Sequence, residues 1–94
     1  MIKEDMVSLV SDATGYSKSV VSTIIESTLE NITLALANGS KVRFSGFGTF
    51  EPKHRAARTG RNPHTKEAVH IPARIMPVFS AGKKLKNAVG KEVV

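Results

Sequence analysis

The stretch from residue 52 to residue 75 holds few large apolar side chains, yet its composition is not that of a disordered segment. It cannot contribute much to a core. In a chain of 94 residues, that leaves about seventy to build one, which is marginal for a domain folding alone. One domain with a projecting element is therefore expected, with a second copy of the chain covering apolar surface that one copy cannot bury.

The stretch itself reads as two strands. Lys53 and Arg55 alternate with His54, Ala56-Ala57 shifts the phase, and Arg58 leads into Thr59-Gly60-Arg61-Asn62-Pro63. On the return, Val69 and Ile71 alternate with Ala68 and His70 before Pro72, with a turn expected around 62 to 66. Each strand of a two-stranded ribbon has a free edge, where Pro52 and Pro72 forfeit no ladder bond. About ten residues per strand at ~3.3 Å each give an arm of roughly 30 Å, long enough to follow a groove part way round a duplex. Such a ribbon is only marginally stable by itself.

Upstream, the period is helical. Met6, Leu9, Val10 and Ala13 predict a first helix stopped by Gly15. Ser17 is placed to cap a second, in which Val21, Ile24, Ile25, Thr28, Leu29, Ile32, Ala35 and Leu36 line one side until Asn38-Gly39. After Gly39 the period becomes two, with Val42 and Phe44 alternating with Lys41, Arg43 and Ser45. Gly46 and Gly48 flank Phe47 and predict a backbone bend or close strand approach, with Phe47 and Phe50 as core or interface aromatics. A third helix follows Ser80-Ala81-Gly82, with Leu85, Ala88 and Val89 on one face; free amides in its first turn, beside Lys83 and Lys86, would suit a phosphate.

Charge is divided along the chain. Residues 1 to 40 sum to −3 and residues 41 to 51 to +1, whereas residues 52 to 86 carry nine Lys and Arg against Glu67 alone. That asymmetry suits a polyanion partner, and composition alone suits a solvated basic face as well. Without Cys there is no disulfide frame or thiolate metal site; His54, His64 and His70 do not converge on a ribbon, so no metal or other cofactor is expected. The lone Gly46-Phe47-Gly48 lacks the third glycine and Lys-Ser/Thr pair of nucleotide loops, and no nucleophile motif is present, so an enzyme is not expected. The N-terminus shows no basic region followed by an apolar run, which predicts a cytoplasmic protein.

The end of the arm offers more than cations. Guanidinium groups suit the narrow, negative minor groove of DNA, and an Asn side chain can donate to the acceptors on its floor. Pro63 is a rigid apolar wedge which, inserted between base pairs, would unstack a step and kink the duplex.

Gly46-Phe47-Gly48-Thr49-Phe50, the run from His54 to Pro63, and Pro77-Val78-Phe79-Ser80-Ala81-Gly82-Lys83-Lys84-Leu85-Lys86 together resemble the HU/IHF family of bacterial histone-like proteins, over nearly the whole chain. The resemblance implies an α+β fold: two N-terminal helices, a three-stranded antiparallel sheet extended into a long β-ribbon arm, and a short C-terminal helix, in an intertwined dimer. Residues 1–51 and 76–94 would form the dimerisation body and 52–75 the arm. It implies DNA contacts from Arg55, Arg58, Arg61, Asn62 and Pro63, with Pro63 intercalating, and phosphate contacts from Lys3, Lys83 and Lys86. Lys53, Lys66 and Arg74 join that set as basic residues of the arm. Phe44, Phe47, Phe50, Phe79, Ile32 and Leu36 would form the dimer interface.

Lys66 departs from the family, many members having Gly just past the tip. The chain is closer to the HU side, which implies a homodimer on double-stranded DNA with little sequence preference, a liking for bent forms, and a place in the nucleoid. The competing reading is a dimeric basic module that holds an acidic protein or membrane surface. Substituting Pro63 separates the two.

Overall fold

The computed structural model describes residues 1–90, so the end of the expected body, residues 91–94, lies outside the described residues. Two compact units emerge, Met1–Leu34 and a second that begins at Ala35.

The first unit is helical. Helix α1 (Lys3–Thr14) opens with Glu4 and Asp5 in its first turn, where carboxylates favour the positive helix end. The Asp5 carboxylate accepts from the Ile2 N–H at 2.8 Å. Gly15 closes the helix with φ 81°, donating its N–H to the Ser11 carbonyl. Helix α2 (Lys18–Ala37) starts as the sequence predicts, the Val20 N–H donating to the Ser17 hydroxyl at 3.2 Å. Its Thr23, Thr28 and Thr33 hydroxyls donate to carbonyls one turn back, so polar groups within a long apolar helix are satisfied locally. Val7 and Val21 are the only buried hydrophobic residues among those described.

The second unit is built on antiparallel pairing. Strands β1 (Val42–Phe44), β2 (Gly48–Arg55) and β5 (Arg74–Ala81) form a sheet in the order β1-β2-β5, and β3 (Arg58–Arg61) pairs with β4 (Ala68–Ile71) in a separate ribbon. Arg55 lies opposite Arg74 and Arg58 opposite Ile71, so two residues on each side, 56–57 and 72–73, separate the ladders and there is no bulge. Pro72, lacking an N–H, stands in that gap. Pro52 does not end β2; it lies directly opposite Pro77. At such a site in an antiparallel pair both missing N–H groups would point away from the partner strand, so neither proline costs a bond.

Alternation sorts the sheet into two faces. Val42, Phe44, Phe50, Pro52, Ile75, Pro77 and Phe79 share one face, while Arg43, Thr49, Glu51, Lys53, Arg55, Arg74 and Ser80 share the other. On the apolar face Phe50 and Phe79 are direct partners with ring centroids 4.7 Å apart, and Phe44 meets Phe50 edge-on at 6.3 Å. Phe47 joins through Phe79 at 5.7 Å. Yet Phe44, Phe47 and Phe79 remain 41%, 51% and 42% exposed.

Helix α3 (Lys83–Val89) is attached to the β1–β2 turn by its backbone. The Gly46 carbonyl accepts from the Lys84 and Leu85 N–H groups at 3.0 and 3.3 Å, and the Phe47 carbonyl from Gly82 N–H at 2.7 Å. This corrects the expected phosphate site: the first-turn amides of Lys84 and Leu85 already have an acceptor. The contact needs two glycines, because Gly46 has φ 79° and a Cβ on Gly82 would come within 2.5 Å of the Gly46 oxygen.

Candidate nucleic-acid interface

Two short ladders in series position the basic side chains of the arm. On β2 and β5, Arg55 and Arg74 form a directly opposed pair. Like charges so placed repel across a ladder. Among the described residues neither they nor Arg58 and Arg61 form a salt bridge. Arg55, Arg58 and Arg74 also line a common groove with Ile71, Pro72 and Met76, and no carboxylate lines it. Three cations are thus gathered without internal compensation, which suits a polyanion laid along the arm.

Beyond the gap, alternation puts Arg58 and Gly60 on one face of β3 and Thr59 and Arg61 on the other. The two arginines therefore do not form a single stripe. Arg61 donates to the Lys66 carbonyl at 3.5 Å across the base of the tip.

Asn62 organises the tip. Its N–H donates to the Glu67 carbonyl at 2.9 Å, and its own carbonyl accepts from Lys66 N–H at 2.7 Å. Its side-chain Oδ1 accepts from the His64 N–H at 2.9 Å and the Thr65 N–H at 3.4 Å. Because backbone donors occupy Oδ1, the amide Nδ2 is the group left to face outward, and it can only donate. Pro63 sits at the exposed apex beside it. The turn closes through Lys66 at φ 60°, the one non-glycine residue in the left-handed region among those described. That conformation costs a side-chain-bearing residue roughly 1–2 kcal/mol, a cost that glycine would not carry.

The remaining expected lysines differ in their surroundings. Lys3, in the helical unit, donates to the Glu26 carboxylate at 2.6 Å. The hydrogen bond, and then the charge, of Glu26 raises the Lys3 pKa, and Lys3 lowers that of Glu26 in the same way. Lys53 shares Glu51 with Lys41, at 3.6 and 3.5 Å. Lys83 and Lys86 extend from the exposed side of α3 without a salt bridge among the described residues. Lys41 and Arg43 precede the arm in the chain. A strand of period two placed them outside the arm, and only the sheet register sets Arg43 beside Thr49 on the cationic face.

Of the expected interface residues, Phe44, Phe47, Phe50 and Phe79 do come together, while Ile32 and Leu36 are half-buried along α2.

Comparison with known proteins agrees with this architecture. The family described as bacterial DNA-binding protein matches residues 1–90. DNA-binding protein HU of Thermus thermophilus is 49% identical over 89 residues, covering 95% of this chain and 92% of its own. The Geobacillus stearothermophilus HU is 44% identical, covering 95% and 99%. Among solved structures, an Anabaena HU–DNA cocrystal superposes with a TM-score of 0.91 at 39% identity, over 98% of this chain and all of that one. HU from Thermotoga maritima gives 0.68 at 32%, over 96% and 100%.

Proposed function

Since this chain belongs to the bacterial DNA-binding protein family, we propose that it is a histone-like architectural protein whose paired arms grip the DNA minor groove, bend the duplex and help compact it in the nucleoid of the cytoplasm. The observation that carries the reading is the tip: an exposed Pro63 next to an Asn62 whose Oδ1 is engaged by the backbone. The minor-groove floor presents mainly acceptors, so an outward Nδ2 donor matches it. A proline wedge entering an adjacent base step kinks the helix at a cost of a few kcal/mol, offset by contacts that the bent duplex makes with the protein.

The placement of the charges supports a division of labour. Arg55, Arg58, Arg61 and Arg74, with Lys53 and Lys66, supply phosphate attraction along the arm, and Lys3, Lys83 and Lys86 hold DNA flanking the kink. Phosphate contacts carry no base information, so little sequence preference and readout by shape are expected.

The acting unit is a homodimer. Only Val7 and Val21 are buried hydrophobics among the described residues, and the four phenylalanines form a connected cluster that is still open to solvent. Residues 1–51 and 76–90 of two copies would close over that cluster with Ile32 and Leu36, leaving the 52–75 arms free.

Binding to linear, nicked and pre-bent duplexes across a salt series, with end-to-end distance read by fluorescence transfer, tests this reading. Preference for the pre-bent form and a shortened distance on the linear one are expected, because bending a short site costs on the order of 1–6 kcal/mol. Pro63→Ala should abolish the shortening and keep much of the affinity. Equal affinity for all three duplexes with unchanged distance would overturn the bending mechanism.

A further inference from the structure

An exposed thioether stands on the cationic face of the sheet, at the root of the arm. Met76 lies directly opposite Lys53, two residues along β5 from Arg74 and diagonal to Arg55 on β2. Diagonal neighbours on one face are roughly 7–8 Å apart, a span that long side chains bridge. Met76 lines the same groove as Arg55, Arg58 and Arg74, and it is 38% exposed. Alternation sets it on the face opposite the phenylalanines, so a second copy closing over those rings leaves it open. An accessible thioether is open to oxidation, which turns a flexible apolar side chain into a polar one. The other two methionines, Met1 and Met6, belong to the helical unit.

We propose that Met76 is a redox-sensitive modification site, through which a hydroperoxide loosens the hold of the arm on DNA. The inference rests on the DNA-binding reading above. A sulfur lone pair attacks one oxygen of the peroxide, and the S–O bond forms as the O–O bond breaks. Sulfur gives up two electrons to become the sulfoxide, and with hydrogen peroxide the departing oxygen leaves as water. The product adds no charge, but its oxygen accepts hydrogen bonds from guanidinium groups beside it. An Arg55 or Arg74 so engaged has fewer N–H donors left for phosphate. A bound duplex covers the sulfur in turn, so DNA and oxidant oppose one another at this residue.

Treating the full chain with hydrogen peroxide, alone and on a linear duplex, tests this. Peptide mass spectrometry follows each methionine, fluorescence anisotropy reads affinity, and thermal melting confirms that every form compared is folded. Met76 should oxidise in the free protein and be slowed by DNA, while the rate at Met6 stays the same. The oxidised wild type should bind about three- to tenfold more weakly, the worth of one hydrogen bond, and methionine sulfoxide reductase should restore it. Met76→Leu, compared with itself before and after the same treatment, should lose no affinity although Met1 and Met6 still oxidise. Met76→Gln, which brings a neutral acceptor without any oxidant, should bind more weakly than Met76→Leu. Unchanged affinity after oxidation of Met76, an equal loss in treated Met76→Leu, equal slowing of Met6 and Met76 by DNA, or Met76→Gln matching Met76→Leu would overturn the proposal. Failure of the untreated wild type to bind the duplex would instead overturn the DNA-binding reading beneath it.

Discussion

At the base of the sheet, Phe50 and Phe79 stack at 4.7 Å with Phe44 and Phe47 beside them, whereas along the arm Arg55 faces Arg74 with no carboxylate in the groove between them. Both regions leave surface exposed, but the partner that would suit each differs in kind. Aromatic surface calls for apolar atoms, which in the proposed dimer a second copy would supply in a fixed place. Opposed guanidinium groups are covered by negative charge, which a polyanion supplies at any point along its length. The helical unit shows a third condition: Lys3 has a carboxylate within the chain, in Glu26.

The largest expected effect comes from breaking the aromatic base. Phe79→Ala should cost about 3–5 kcal/mol if its ring is buried against a second copy, and well under half of that if it stays as open as in one chain. Unfolding followed at several protein concentrations distinguishes the two, because only the first makes the midpoint depend on concentration.

Removing the opposed cations should leave folding intact and strike binding. Arg55→Gln with Arg74→Gln should flatten the DNA salt slope by roughly 1.8, one phosphate contact for each charge. The melting temperature should stay level or rise slightly, since the like-charge repulsion disappears. A fall in stability with unchanged salt slope would show that these arginines serve the fold.

Lys66→Gly separates turn strain from charge at the tip. Relief of the φ 60° conformation should stabilise the closed turn by about 1 kcal/mol, less the entropy that glycine adds to the unfolded chain. Amide exchange of the Asn62 and Glu67 N–H groups would report the tighter turn, and anisotropy would report the lost charge.

The smallest effect concerns the Lys3–Glu26 pair. Glu26 has its pKa lowered by Lys3, so its contribution to stability is present above the ordinary carboxylate range and is lost as pH falls through its folded value. Lys3 has its pKa raised by Glu26, so its contribution is present below the ordinary lysine value and is lost as pH rises through the higher folded one. Both groups are exposed, so the change is small and should shrink with salt. Glu26→Gln should erase the acid-side loss from this pair in a melting series from pH 3 to 7.

Much of the fold was legible without a structure. Gly15, Ser17 and Gly39 end or begin helices through bonds that span a few residues. The change from helical to alternating period marks β1, and the basic run with Asn62-Pro63 marks the tip. The free amides expected at α3 were wrong, because the carbonyl that occupies them belongs to Gly46, far back along the chain. The neighbours of Lys41 and Arg43, Glu51 and Thr49, are likewise set by strand pairing.

By itself, then, the sequence determined whatever short-range geometry controls: where helices start and stop, where the period changes, which segment is too polar for a core, and what chemistry its apex carries. Tertiary structure decided what long-range pairing controls: Arg55 against Arg74, Phe50 against Phe79, Glu51 between two lysines, and Lys3 on Glu26 across 23 residues. The physical reason is register. Composition and spacing make a residue available, but a charge becomes compensated or exposed only when chain pairing chooses its neighbour.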